Sequence, residues 1–111
     1  MRSFSGKIMV QEEKGSEVLM LRTIPVAKLF ALYNEEEIEL SIYQLNPLAG
    51  KNLVKSYQGI AEVFFFEGNQ MFYTGTKYVN DFWVNDEDII QELETLVGKD
   101  VIILVNNRKI K

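Results

Sequence analysis

The sequence predicts one α+β domain over residues 1–111, a mainly antiparallel sheet of six or seven strands with one capped helix, 85–97, packed on it. Three observations carry this. A Gly68-Asn69 pair sits between two alternating runs, 60–66 and 70–76, and glycine suits the first position of a type II′ hairpin turn, where φ is positive. Residues 85–97 have the punctuation of a helix at both ends. The run 101–105 is apolar on both faces, as a strand inside a sheet should be. A small closed β-barrel with the helix plugging one end is the alternative architecture.

Taken in order, residues 4–10 alternate, with Phe4, Gly6, Ile8 and Val10 on one face. A polar turn containing Gly15 leads to a second strand, 18–24, paired with the first as a hairpin. Pro25 breaks that pattern. Beyond it Val26, Leu29, Phe30 and Tyr33 fall at helical spacing, which offers a short helix over 25–33 with Thr23 as its cap, although an extended reading of 26–33 survives.

Residues 37–45 are the cleanest strand, with Ile38, Leu40 and Ile42 on one face, closed by Pro47 and Gly50. Residues 51–58 read as loop or edge strand. In the helix, Asn85 is the expected cap and Asp88 completes a capping box. Ile89, Ile90, Leu93, Leu96 and Val97 form the apolar stripe, and Gly98 is the left-handed stop. No internal repeat is legible.

Composition excludes several chemistries. The chain of 111 residues has no cysteine and no histidine, so thiolate nucleophiles, thiolate metal sites and the commonest general base are absent. The Glu35-Glu36-Glu37 run with Glu39 lacks the turning glycine and alternate ligands of a hard-cation loop. Gly50-Lys51 lacks the rest of a phosphate-binding loop. Neither a metal nor a cofactor is expected. Net charge is −4, and residues 56–111 hold nine acidic against five basic side chains, a surface that repels nucleic acid. No apolar run has the length of a signal peptide core or a membrane span, and the expectation is a cytoplasmic protein.

The hairpin register implied by Gly68-Asn69 places Glu62 opposite Gly75, Phe64 opposite Tyr73 and Phe66 opposite Met71, with Lys77 diagonal to Glu62. One face then gathers Glu62, Phe64, Phe66, Tyr73 and Lys77, aromatic rings around a single carboxylate. Read functionally, this is a groove for a ligand or partner. Read structurally, it is a core face with Glu62 at the wet margin, paired to Lys77. Tyr78, Phe82 and Trp83 carry the same ambiguity between interface anchor and core.

The expected function is a non-enzymatic, adaptor- or inhibitor-type interaction domain that uses the aromatic face or a strand edge toward a protein partner or a second copy. The alternative is a small-molecule binder or small enzyme built on Glu62, Tyr73 and Lys77 in a curved-sheet pocket.

Overall fold

A computed structural model of the chain describes residues 1–13, 16–48, 50–69 and 76–107. In chain order the elements are β1 (Arg2–Glu13), β2 (Ser16–Leu21), β3 (Ile24–Pro25), α1 (Val26–Leu29), a 3₁₀ turn (Ala31–Tyr33), β4 (Glu37–Asn46), β5 (Gly50–Asn69), β6 (Thr76–Val84), β7 (Glu87–Asp88), α2 (Ile89–Glu94) and β8 (Asp100–Asn107). Every strand pairing described is antiparallel, in the order β3-β2-β1-β8-β4-β5-β6-β7. The class is as the sequence predicts. The strand count is eight among the described residues, not six or seven, because β3 and β7 are two-residue strands that no alternation could announce.

The core lies where alternation puts it. Ile38, Leu40 and Ile42 of β4 and Val101, Ile103 and Val105 of β8 are all buried on one face of the central strands. β8 runs between β1 and β4, the central position its apolar character predicts. Over this face close Phe30, which stacks on Phe82 with ring centres 4.8 Å apart, and Ile89, Leu93 and Leu96.

Residues 51–58 are not a loop or a free edge. They belong to β5, whose first part, Gly50 to Ile60, pairs with β4, while Ala61 to Asn69 pairs with β6. The strand changes partners beside Gly59, which has φ of 152° and where a Cβ would come within 2.8 Å of the Asn85 Cβ. β1 does the same beside Gly6, passing from β8 to β2.

This parallel extends through the whole chain. Gly6 corresponds to Gly59, and Ile8 opposite Leu21 corresponds to Ala61 opposite Val84. Arg22 N–H donates to Lys7 O, as Asn85 N–H donates to Ile60 O. Ile8 N–H donates to Lys99 O, as Ala61 N–H donates to Glu36 O. β4 and β8 pair with each other about the Ser41–Leu104 position, each occupying the place of the other. The strand order reads the same from both ends once halves are exchanged. The molecule is therefore two copies of one β-β-β-α-β unit, 2–46 and 50–107, related by a pseudo-two-fold axis. Each unit's first strand is completed by the last strand of the other.

Both helices depart from the sequence reading. α2 begins at Ile89, and its cap is Asp88, whose Oδ1 accepts from Gln91 N–H. Asn85 and Asp86 instead have φ of 52° and 63° and form the two-residue turn between β6 and β7, a conformation that Asn and Asp tolerate better than most residues. Gly98 is left-handed as expected, at φ of 86°, but it does not end the helix: α2 stops at Glu94 with Thr95 as its C-cap, short of the expected 97. The short helix keeps only Val26–Leu29. Thr23 does not cap it, and Pro25 stands at the cap position with no side-chain hydrogen bond. Asn80 supplies the acceptor from β6: its Oδ1 takes Ala27 N–H at 2.8 Å, while its Nδ2 donates to Leu19 O at 3.1 Å. One side chain thus ties β6, β2 and α1 together.

Candidate functional site

The hairpin turn lies outside the described residues, and the pairing on either side of it rules out a turn at Gly68-Asn69. Asn69 is opposite Thr76, Gly68 opposite Lys77, Phe66 opposite Val79, Phe64 opposite Asp81 and Glu62 opposite Trp83. The expected partnerships of Glu62 with Gly75, Phe64 with Tyr73 and Phe66 with Met71 are overturned. The observed pairing brings Phe82 and Val84, both fully buried, opposite Val63 and Ala61 on the core face.

Six residues of β5 separate Glu62 from the position opposite Lys77, about 20 Å at the rise of a strand. Lys77 cannot hold the Glu62 carboxylate from there. Tyr73 lies outside the described residues. Phe66 and Lys77 are placed by their backbone pairing alone.

Glu62 and Phe64 do share one face, as expected. It is the outer face of the β5–β6 ribbon: Ile60 is 51% exposed, Phe64 is 53% exposed, Glu62 is exposed and Trp83 is half-buried. Ala61 and Val63 point the other way and are buried. The face is therefore neither core nor helix-covered, which settles the position of Phe64. Asp81, opposite Phe64, gives it a second carboxylate. Trp83 is neither a fully buried core residue nor a free anchor.

A second polar site escaped sequence reasoning. Tyr57 of β5 is only 5% exposed, and its hydroxyl is buried with no hydrogen-bond partner among the described residues. It lines a groove with Lys55, Glu87, Asp88, Gln91, Glu92 and Thr95. Burial pushes the Tyr57 hydroxyl up from its ordinary range, and the negative charges of Glu92, Glu87 and Asp88 push it further, so it stays protonated. The Lys55 ammonium lies 5.1 Å from the centre of the Tyr57 ring and pairs with Glu87 Oε1 at 2.8 Å. That hydrogen bond raises Lys55 above its ordinary value. Residues from β5, β7 and α2 meet here through pairings distant in sequence, so no local motif could have signalled them. No group of carboxylates among the described residues converges as a metal site. Nor is any helix among them long and apolar enough to cross a membrane.

In comparisons with family models, with curated proteins and with solved structures, nothing matches the chain.

Proposed function

We propose that the chain is a non-enzymatic interaction domain that docks a protein partner on the outer face of the β5–β6 ribbon, through Ile60, Glu62, Phe64 and Trp83. One observation supports this above the others. A phenylalanine and an isoleucine, each about half exposed, flank a carboxylate on a ribbon whose opposite face already supplies the core. Large aromatic side chains left in water lose the burial free energy that a partner would return, and such residues dominate interface energetics when covered. Phe66 and Lys77 extend the same face by register. Tyr73 belongs to the proposal through the sequence alone. The enzyme reading built on Glu62, Tyr73 and Lys77 has lost its central pair, because Lys77 is too far along the ribbon to reach Glu62.

The experiment is quantitative capture from the native cell with the full chain as bait, wild type beside Phe64→Ala and Glu62→Lys, with sedimentation of the purified chain to detect self-association. The reading expects a set of bound proteins, or a dimer, that falls at least fivefold in Phe64→Ala, roughly the loss of 1 kcal/mol that defines an interface contact of weight. Identical capture and sedimentation for all three chains would overturn it.

A further inference from the structure

The pseudo-two-fold relation makes two of the grooves counterparts at three lining positions, and those positions have diverged in chemistry. In the first half, Phe4, Leu21, Ile24 and Leu29 line a groove of about 310 Å³ with Ser3, Ser5 and Arg22. Its counterpart in the second half, about 290 Å³, is lined by Tyr57, Glu87 and Glu92 with Lys55, Asp88, Gln91 and Thr95. Pairing register puts Tyr57 where the first half has Phe4, since Phe4 faces Ile103 and Tyr57 faces Leu40. Glu87 stands where the first half has Ile24, and Glu92 where it has Leu29. The framework around these changes is conserved: Arg2 lies over the Phe4 ring and Lys55 over the Tyr57 ring, each 5.1 Å from the ring centre.

The apolar twin shows that folding needs no carboxylate or hydroxyl at these places. The second half carries them at a cost, because the Tyr57 hydroxyl is buried without a partner, a group that weakens a fold when left unmade. Two of the polar groups in the groove are already committed: Asp88 caps α2 through Gln91 N–H, and Thr95 Oγ1 donates to Glu92 O. Besides Gln91 and Lys55, the polar residues left lining the groove are Glu87, Glu92 and Tyr57, whose hydroxyl is buried. Among the described residues the ion pair they make is that of the Lys55 ammonium with Glu87. An alkylammonium over an aromatic ring and against a carboxylate is thus the arrangement the groove already holds.

We propose that this groove binds the ammonium end of an aliphatic amine, with Glu87 and Glu92 as its anionic acceptors and Tyr57 as the neutral one, and that Lys55 fills the site in the free protein and is displaced by the ligand. Lys55 is well suited to leave. It is held by one exposed ion pair, which is weak and screened by salt. Its flexible stem lets the ammonium leave the Tyr57 ring, whose centre is 5.1 Å away, and swing into water. The amine could be a free small molecule or the side chain of a lysine, and the chemistry of recognition is the same.

The test is titration of the full ¹⁵N-labelled chain with 1,4-diaminobutane, with Nα-acetyl-lysine N-methylamide and with the uncharged 1,4-butanediol, followed at the Gln91 and Thr95 amides. The expected result is saturable shifts with one or both amines and none with the diol. Whichever amine binds tighter identifies the source. Glu92→Leu and Glu87→Ile, which restore the residues of the apolar twin, should each weaken binding at least tenfold. Lys55→Met should tighten it several-fold by vacating the site. Binding unchanged in Glu92→Leu, equal shifts with the diol, or no saturation even in Lys55→Met would each overturn the proposal.

Discussion

At the scale of single residues, the helix cap shows how one side-chain type can answer two structural demands. Asn is favoured both as an N-cap and at left-handed φ, and Asn85 with Asp86 could satisfy either. The structure uses them for the left-handed turn and leaves the cap to Asp88. Asp88→Ala is therefore expected to cost about 1 kcal/mol, the usual worth of a cap, whereas Asn85→Gly should be neutral to within a few tenths, since glycine takes positive φ freely. Urea midpoints of the two variants check this; a negligible loss for Asp88→Ala would remove the cap from Asp88.

Tyr57 supports a second prediction at this scale. Its folded-state pKa is raised, so the folded protein keeps the proton when the unfolded chain has lost it. The linked stability is present in full below the ordinary tyrosine pKa, near 10, and is lost as pH rises through and beyond that value. Denaturation midpoints measured from pH 9 upward should fall less steeply in Tyr57→Phe than in wild type, Lys55 being common to both. Near pH 7 the variant should be at least as stable as wild type, because it removes an unpartnered buried hydroxyl.

At the scale of elements, some parts were legible because one local pattern was enough. The alternation of 37–45 and the double-faced apolar run at 101–105 announced both central strands, whereas α2 stops at Glu94, short of the expected 97. The β5–β6 ribbon was not legible in register. Gly68-Asn69 is a good local turn, and only the long-range pairing of 61–69 with 76–84 reveals that the chain passes it by. Glu62 and Phe64 kept a common face through that change because residues two apart in a strand always do. Lys77 lost its place beside them because cross-strand neighbours depend on register. The prediction for this element contrasts its two faces. Phe82→Ala, inside the core and stacked on Phe30, should cost about 3–5 kcal/mol, while Phe64→Ala should change stability by less than about 1 kcal/mol. Denaturant midpoints of the two proteins are the measurement, and a large loss for Phe64→Ala would place that ring in the core.

At the scale of the molecule, the internal repeat escaped the sequence because the corresponding positions of the two halves share almost no residues. Of the paired places in the first strands, Ser3 and Ser56, Gly6 and Gly59, and Val10 and Val63 are the same; across the later elements none is. What the halves share is a pattern of buried positions and two bends at glycine, which is a property of backbone register and not of residue identity. The exchange of strands has a mechanical consequence. β1 takes one neighbour from its own half, β2, and one from the other, β8, and β5 is placed likewise between β6 and β4. Neither half keeps a closed set of backbone hydrogen bonds if the other opens, and Asn80 adds a bond from β6 to β2 and α1. The two halves should therefore unfold as one unit. The single tryptophan, Trp83, lies in the second half, so its fluorescence reports that half, while far-ultraviolet circular dichroism reports both. Ile8→Ala removes a fully buried side chain from the first half and should cost about 2–5 kcal/mol. The expected outcome is one transition, with fluorescence and dichroism coincident in wild type and moving together in Ile8→Ala. A Trp83 transition that stays at the wild-type midpoint while dichroism shifts would mean that the second half stands without the first, against the strand exchange that joins them.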